Sequence, residues 1–87
     1  MEPIETLDDI RKLVRSERKK RGLTQAHAAG LTGFTQKWLS QFESGEVNPP
    51  ADMVFKLVNT LGIKLFYQTL ASPEPSKSQG DDEELSL

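Results

Sequence analysis

A chain of 87 residues has room for one small domain and a tail, and such a domain is marginal alone and gains from oligomerisation. With no cysteine it holds neither a disulfide framework nor a zinc finger of the cysteine type, and no run approaches the roughly 18 apolar residues of a membrane span. The net charge of −2 is unevenly spread: residues 1–70 carry +2 and the acidic remainder −4, so the body attracts polyanions only weakly through bulk charge.

The leading MEPIETLDD is acidic, unlike a secretion signal, and a cytoplasmic location is expected. Thr6-Leu7-Asp8-Asp9 has the spacing of a capping box with a shorter acid, and the two Asp suit the positive end of a helix. Helix 1 is predicted from about Leu7 to Arg21. Leu7, Ile10, Val14 and Glu17 share one face, with Leu13 beside it. The last turn, Arg18-Lys19-Lys20-Arg21, is basic, and Gly22 follows as the stop. This turn is either simply solvated or in contact with phosphate. A membrane-surface reading fits poorly, because Glu17 interrupts the apolar face and the core needs that face.

Two short helices follow, at about Thr24–Thr32 and Thr35–Glu43. Thr24 and Thr35 each stand where a hydroxyl can cap free backbone N–H groups. Gly33 lies between the runs, where a sharp turn calls for positive φ. Ala28, Ala29 and Leu31 give the first run an apolar side; Leu39 and Phe42 give the second run one. The other side of the second run carries Thr35, Gln36, Lys37, Ser40, Gln41 and Ser44, with Lys37 its only formal charge. An ordinary solvated helix carries more Glu and Lys. The composition suits a helix-turn-helix whose second helix enters the DNA major groove, where Gln pairs with adenine, Lys with guanine, and Ser or Thr with either. Periodicity alone supports equally an αα-hairpin inside a small helical domain.

Gly45 to Pro50 reads as a loop, in which Asn48-Pro49-Pro50 bars helix before Pro49 and presets the next helix start. Helix 4 is predicted from about Ala51 to Leu61, its stripe of Met53, Val54, Leu57, Val58 and Leu61 facing the core, with Gly62 as its end. The stretch from Ile63 to Leu70 changes period. Ile63, Leu65 and Tyr67 fall on one side and Lys64, Phe66 and Gln68 on the other, which argues for a strand over a continued C-terminal helix. A lone strand cannot satisfy its backbone, so pairing with the same strand of a second chain is expected, through Ile63, Leu65, Phe66 and Tyr67. Residues 71–87 are rich in Pro, Ser, Gly and acid. They are expected to be a disordered acidic tail, either solubilising or reaching a partner or protease.

Leu23-Thr24-Gln25, Ala29, Gly33, Thr35, Leu39-Ser40, Phe42-Glu43 and Gly45, then Asn48-Pro49 and Leu61-Gly62, resemble the Xre/Cro family of helix-turn-helix repressors from about Ile10 to Ile63. The resemblance implies an all-α, lambda-repressor-like bundle of four to five helices over residues 1–62, with 63–70 as a dimerising strand. Two positions depart from the pattern. Ala28 stands where the family usually has a larger aliphatic, and Thr32 where it usually has Leu or Val, so helix 2 is thin and Trp38 is a candidate to compensate. By resemblance, Gln36, Lys37, Ser40 and Gln41 read bases. Thr24, Gln25, Thr35 and Ser44 hold the DNA backbone. Trp38 packs on that backbone or fills the core, with the core slightly preferred. By the same resemblance, Arg18 pairs with Glu43 as a structural ion pair.

The layout of body, dimerising strand and short tail further resembles the HipB-type antitoxins of toxin–antitoxin modules. That implies a homodimer on palindromic double-stranded operator DNA and a HipA-like kinase toxin as partner. A phage-type repressor without a toxin, and a protein-interaction module on the same fold, are the alternatives. Catalysis has little to work with: His27 is the only histidine, no second ligand sits at metal spacing, and no phosphate loop or nucleophile set is present, so no enzyme, cofactor or metal is expected.

Overall fold

The computed structural model describes residues 2–71. Among these residues are four helices: α1 (Leu7–Lys20), α2 (Gln25–Thr32), α3 (Gln36–Ser44) and α4 (Ala51–Thr60). The fold is the expected helix-turn-helix bundle, with α3 packed against α1 and α2, and α4 against α2.

Local chemistry sets each boundary. At the start of α1 the Thr6 hydroxyl accepts the Asp9 N–H at 3.1 Å, while the Asp9 carboxylate accepts the N–H groups of Glu5 and Thr6 at 2.9 and 3.0 Å. Those backbone donors, Glu5 first, hold the Asp9 carboxyl below the ordinary carboxylate value. Thr24 and Thr35 cap α2 and α3 by accepting the N–H groups of His27 and Trp38, each at 3.0 Å. Both helices end on glycine in the left-handed region, Gly33 at φ 82° and Gly45 at φ 89°, where a Cβ would be strained. Pro50 starts α4 without a side-chain cap, its fixed φ preset for the turn.

The core gathers Val14, Ala28, Ala29, Leu39, Phe42, Val54, Leu57, Val58, Leu61 and Ile63. Burying a side chain such as Leu39, Phe42 or Leu57 contributes about 1.5–3 kcal/mol each. Two details differ from the sequence reading. The inner edge of α2 is Ala28, Ala29 and Thr32, while Leu31 is 53% exposed. Thr32 is tolerated at 2% exposure because its hydroxyl donates to the Ala29 carbonyl at 2.8 Å. On α1 the buried stripe is Arg11, Val14 and Arg18, with Leu7, Ile10 and Leu13 only partly buried beside it. An aromatic stack packs against this core. Trp38 lies parallel to Phe42, with centroids 5.4 Å apart, and tilted against Phe34 at 4.5 Å.

Residues 63–71 form no helix and pair with no strand among the described residues. Ile63 is 8% exposed and sits in the chain's own core, and its N–H donates to the Val58 carbonyl at 2.9 Å, closing α4. Of the four residues assigned to strand pairing, it is therefore the one held inward, whereas Leu65, Phe66 and Tyr67 are exposed. The tail beyond Ala71 lies outside the described residues.

Candidate nucleic-acid interface

The helical period sorts α3 into two sides. Leu39 and Phe42 are fully buried, which points Gln36, Lys37 and Ser40 outward, all exposed, with Gln41 half-buried at their edge. Gln36, Ser40 and Ser44 follow one another at i, i+4 spacing, and Lys37 and Gln41 form a second row beside them. The outer surface thus offers amide, ammonium and hydroxyl groups in two parallel rows. Such groups can reach base edges in a major groove, which is wide enough to admit a helix.

The groups around this helix are positioned by the caps. Thr24 and Thr35 use their oxygens as acceptors within the chain, which leaves each hydroxyl proton free to donate outward. His27 is exposed beside Thr24. Ser44 has its single hydroxyl proton aimed at the Glu46 carboxylate, 2.8 Å away, or at the Gln41 carbonyl at 3.2 Å. Trp38 is half-buried in its aromatic stack.

The Arg18 guanidinium forks onto Glu43 with Nε–Oε2 at 2.8 Å and Nη2–Oε1 at 2.9 Å, and donates a third bond to the Leu23 carbonyl at 2.9 Å. The pair is deeply placed, with side-chain exposures of 9% and 4%. The Glu43 carboxylate beside it holds the Arg18 pKa above its ordinary value. Gln25 joins this network, its amide donating to Glu43 Oε1 at 3.1 Å. One N–H of the Gln25 amide is thus committed to the ion pair, and its second N–H remains able to donate outward.

One residue that the sequence reading did not single out organises the far end of the helix. Arg11, 7% exposed, donates to the Phe42 carbonyl at 2.8 Å, to Asn48 Oδ1 at 2.8 Å and to the Val47 carbonyl. Its guanidinium also lies 5.4 Å from the centre of the Phe42 ring. It therefore clasps the end of α3 to the loop before α4. The available signal was its spacing: Arg11, Val14 and Arg18 recur at helical intervals on one stripe.

A capped bundle presenting a polar helix of this kind defines the class: a helix-turn-helix DNA-binding transcriptional regulator. Residues 14–68 match the helix-turn-helix family model, and the chain belongs to that family. It is 39% identical over 59 residues to an uncharacterised HTH-type transcriptional regulator, y4dJ, of Sinorhizobium fredii, across 63% of this chain and 77% of that protein. Among solved structures it is similar in fold to HipB in an O2 20mer complex, with a TM-score of 0.67 and 24% identity over 85% of this chain and 99% of that one. MDT protein is similar to the same degree, with a TM-score of 0.67 and 23% identity over 85% of this chain and all of that one. No helix among the described residues is long and apolar enough to cross a membrane.

Proposed function

We propose that this protein is a sequence-specific repressor that binds palindromic operator DNA as a homodimer and serves as the antitoxin of a HipA-like kinase toxin. The observation that carries the DNA reading is the outward placement of Gln36, Lys37 and Ser40, with Gln41 beside them, on a helix whose other side is sealed in the core. Thr24, Gln25 and Thr35 flank that surface as phosphate contacts, and Ser44 joins them by turning its proton from Glu46 to the phosphate. The homodimer reading draws on residues 64–71. Among the described residues none of their N–H groups has a backbone acceptor, and Phe66 and Tyr67 are 92% and 90% exposed. Edge-to-edge pairing with a second copy satisfies those groups and covers those rings. The antitoxin reading draws on layout and on the likeness in fold to HipB.

Selection of bound duplexes from a random pool tests the repressor reading. The expected product is an inverted repeat with half-sites about 34–36 Å apart, or a multiple of that spacing. Recovery of unrelated sequences at no enrichment would overturn it. Co-purification with a kinase-like protein, and loss of that kinase's activity on mixing, tests the antitoxin reading separately. A chain that represses its operator but binds no kinase is the phage-type alternative.

A further inference from the structure

We propose that Arg15, on α1, is a DNA-phosphate contact, so that the first helix flanks the duplex together with the helix-turn-helix; this rests on the DNA reading above. A polar notch of about 250 Å³ opens between α1 and α3, lined by Arg15, Arg18, Gln25, Ser40, Glu43 and Ser44. The charges of Arg18 and Glu43 cancel in their fork. Ser44 points its proton at Glu46. What remains is the Arg15 guanidinium on one wall and the Ser40 hydroxyl on the other, both exposed and neither engaged by another described residue.

Lys19, one turn further along α1, is also exposed without an ion pair among the described residues but does not line the notch, and the remaining cations of α1 and its C-cap are occupied differently. Lys12 pairs with Asp8 at 3.6 Å, and Lys20 and Arg21 pair with Glu17 at 3.1 and 3.2 Å. Arg11 is buried on carbonyls. Arg15 thus delivers an uncompensated positive charge at the wall of a notch whose opposite wall is the outer row of α3. A helix lying in a major groove brings the bordering phosphates to its flanks, and a guanidinium there binds phosphate oxygens in a fork. Such a contact sets register and affinity without reading sequence.

The test is fluorescence anisotropy of the full chain on a mixed-sequence duplex of about 30 base pairs, titrated across about 50 to 200 mM KCl. Each phosphate contact contributes about 0.9 to the slope of log affinity against log salt. Arg15→Ala is expected to lower that slope by about 0.9 per bound chain, and Arg15→Lys to keep most of it. Lys12→Ala removes the same charge from the same helix outside the notch and is the comparison. If Arg15→Ala and Lys12→Ala change the slope equally, the contact does not exist and Arg15 acts only through net charge. If the wild-type chain shows no salt-dependent affinity, the DNA reading falls and this proposal with it. Arg15→Gln retains side-chain length and helix propensity, so a loss of slope shared by the Ala and Gln variants, at unchanged circular dichroism, is a loss of contact and not of fold.

Discussion

Glu43 takes two bonds from Arg18 and one from Gln25 at a point where solvent is nearly excluded. A buried pair of this kind adds little net stability over an apolar pair, but removing one partner strands the other. Glu43→Ala is therefore expected to destabilise the fold by about 3–5 kcal/mol, read as a lowered urea midpoint. A loss well under 1 kcal/mol would mean that the guanidinium finds water. The residues proposed to read bases are expected to behave in the opposite way. Gln36 and Lys37 are exposed and hold nothing together, so Gln36→Ala or Lys37→Ala should leave thermal stability unchanged. Each should weaken operator binding by about tenfold or more, since a good bidentate base contact is worth roughly 1–3 kcal/mol of discrimination. Band shifts at wild-type affinity for both variants would remove the base-reading assignment. Arg11 shows the limit of residue-level reading. An arginine on a helix counts as polar and outward until the loop it clasps, more than 30 positions away in the chain, is in place.

At the scale of elements, what was legible is what is decided locally. Thr6, Thr24 and Thr35 cap as their spacing implies, and Gly33 adopts the positive φ its turn requires. These features depend on residues within one turn, so a short window contains their cause. Which side of α2 faces inward does not. With eight residues, three alanines and a glycine, the helix has almost no amphipathic signal of its own, and Leu31 yielded the inner place to Thr32. Thr32 can take it because its hydroxyl is satisfied by its own helix, a fact that hydropathy patterning does not contain. The same helix offers a direct test of how loosely it is specified. Gly30 lies in its interior, exposed, and a Cβ there would meet nothing within 4 Å. Gly30→Ala should therefore stabilise the domain by about 0.5–1 kcal/mol, measured as a raised melting temperature with DNA affinity retained. A destabilised variant would show that the outer side of α2 is covered in the protein as it works in solution.

For the whole molecule the deciding question is what residues 64–71 do. They carry Leu65, Phe66, Tyr67 and Leu70 on the surface, and Leu65 borders an apolar groove of about 240 Å³ with Leu7, Ile10, Val54 and Phe55. A small monomer rarely leaves such a run uncovered, and a domain of this size gains most from a partner. The site to cut is set by the core. Truncation after Gly62 would also remove Ile63, and a weakened fold could then pass for a lost dimer. Truncation after Lys64 keeps Ile63 in place and deletes the exposed apolar run together with the acidic residues that follow it. The shortened chain is expected to remain folded by circular dichroism and to sediment as a monomer. Its operator affinity should fall by roughly 10²-fold or more, because the second half-site is no longer held at high effective concentration. A folded truncated chain that still sediments as a dimer would place the interface elsewhere on the bundle.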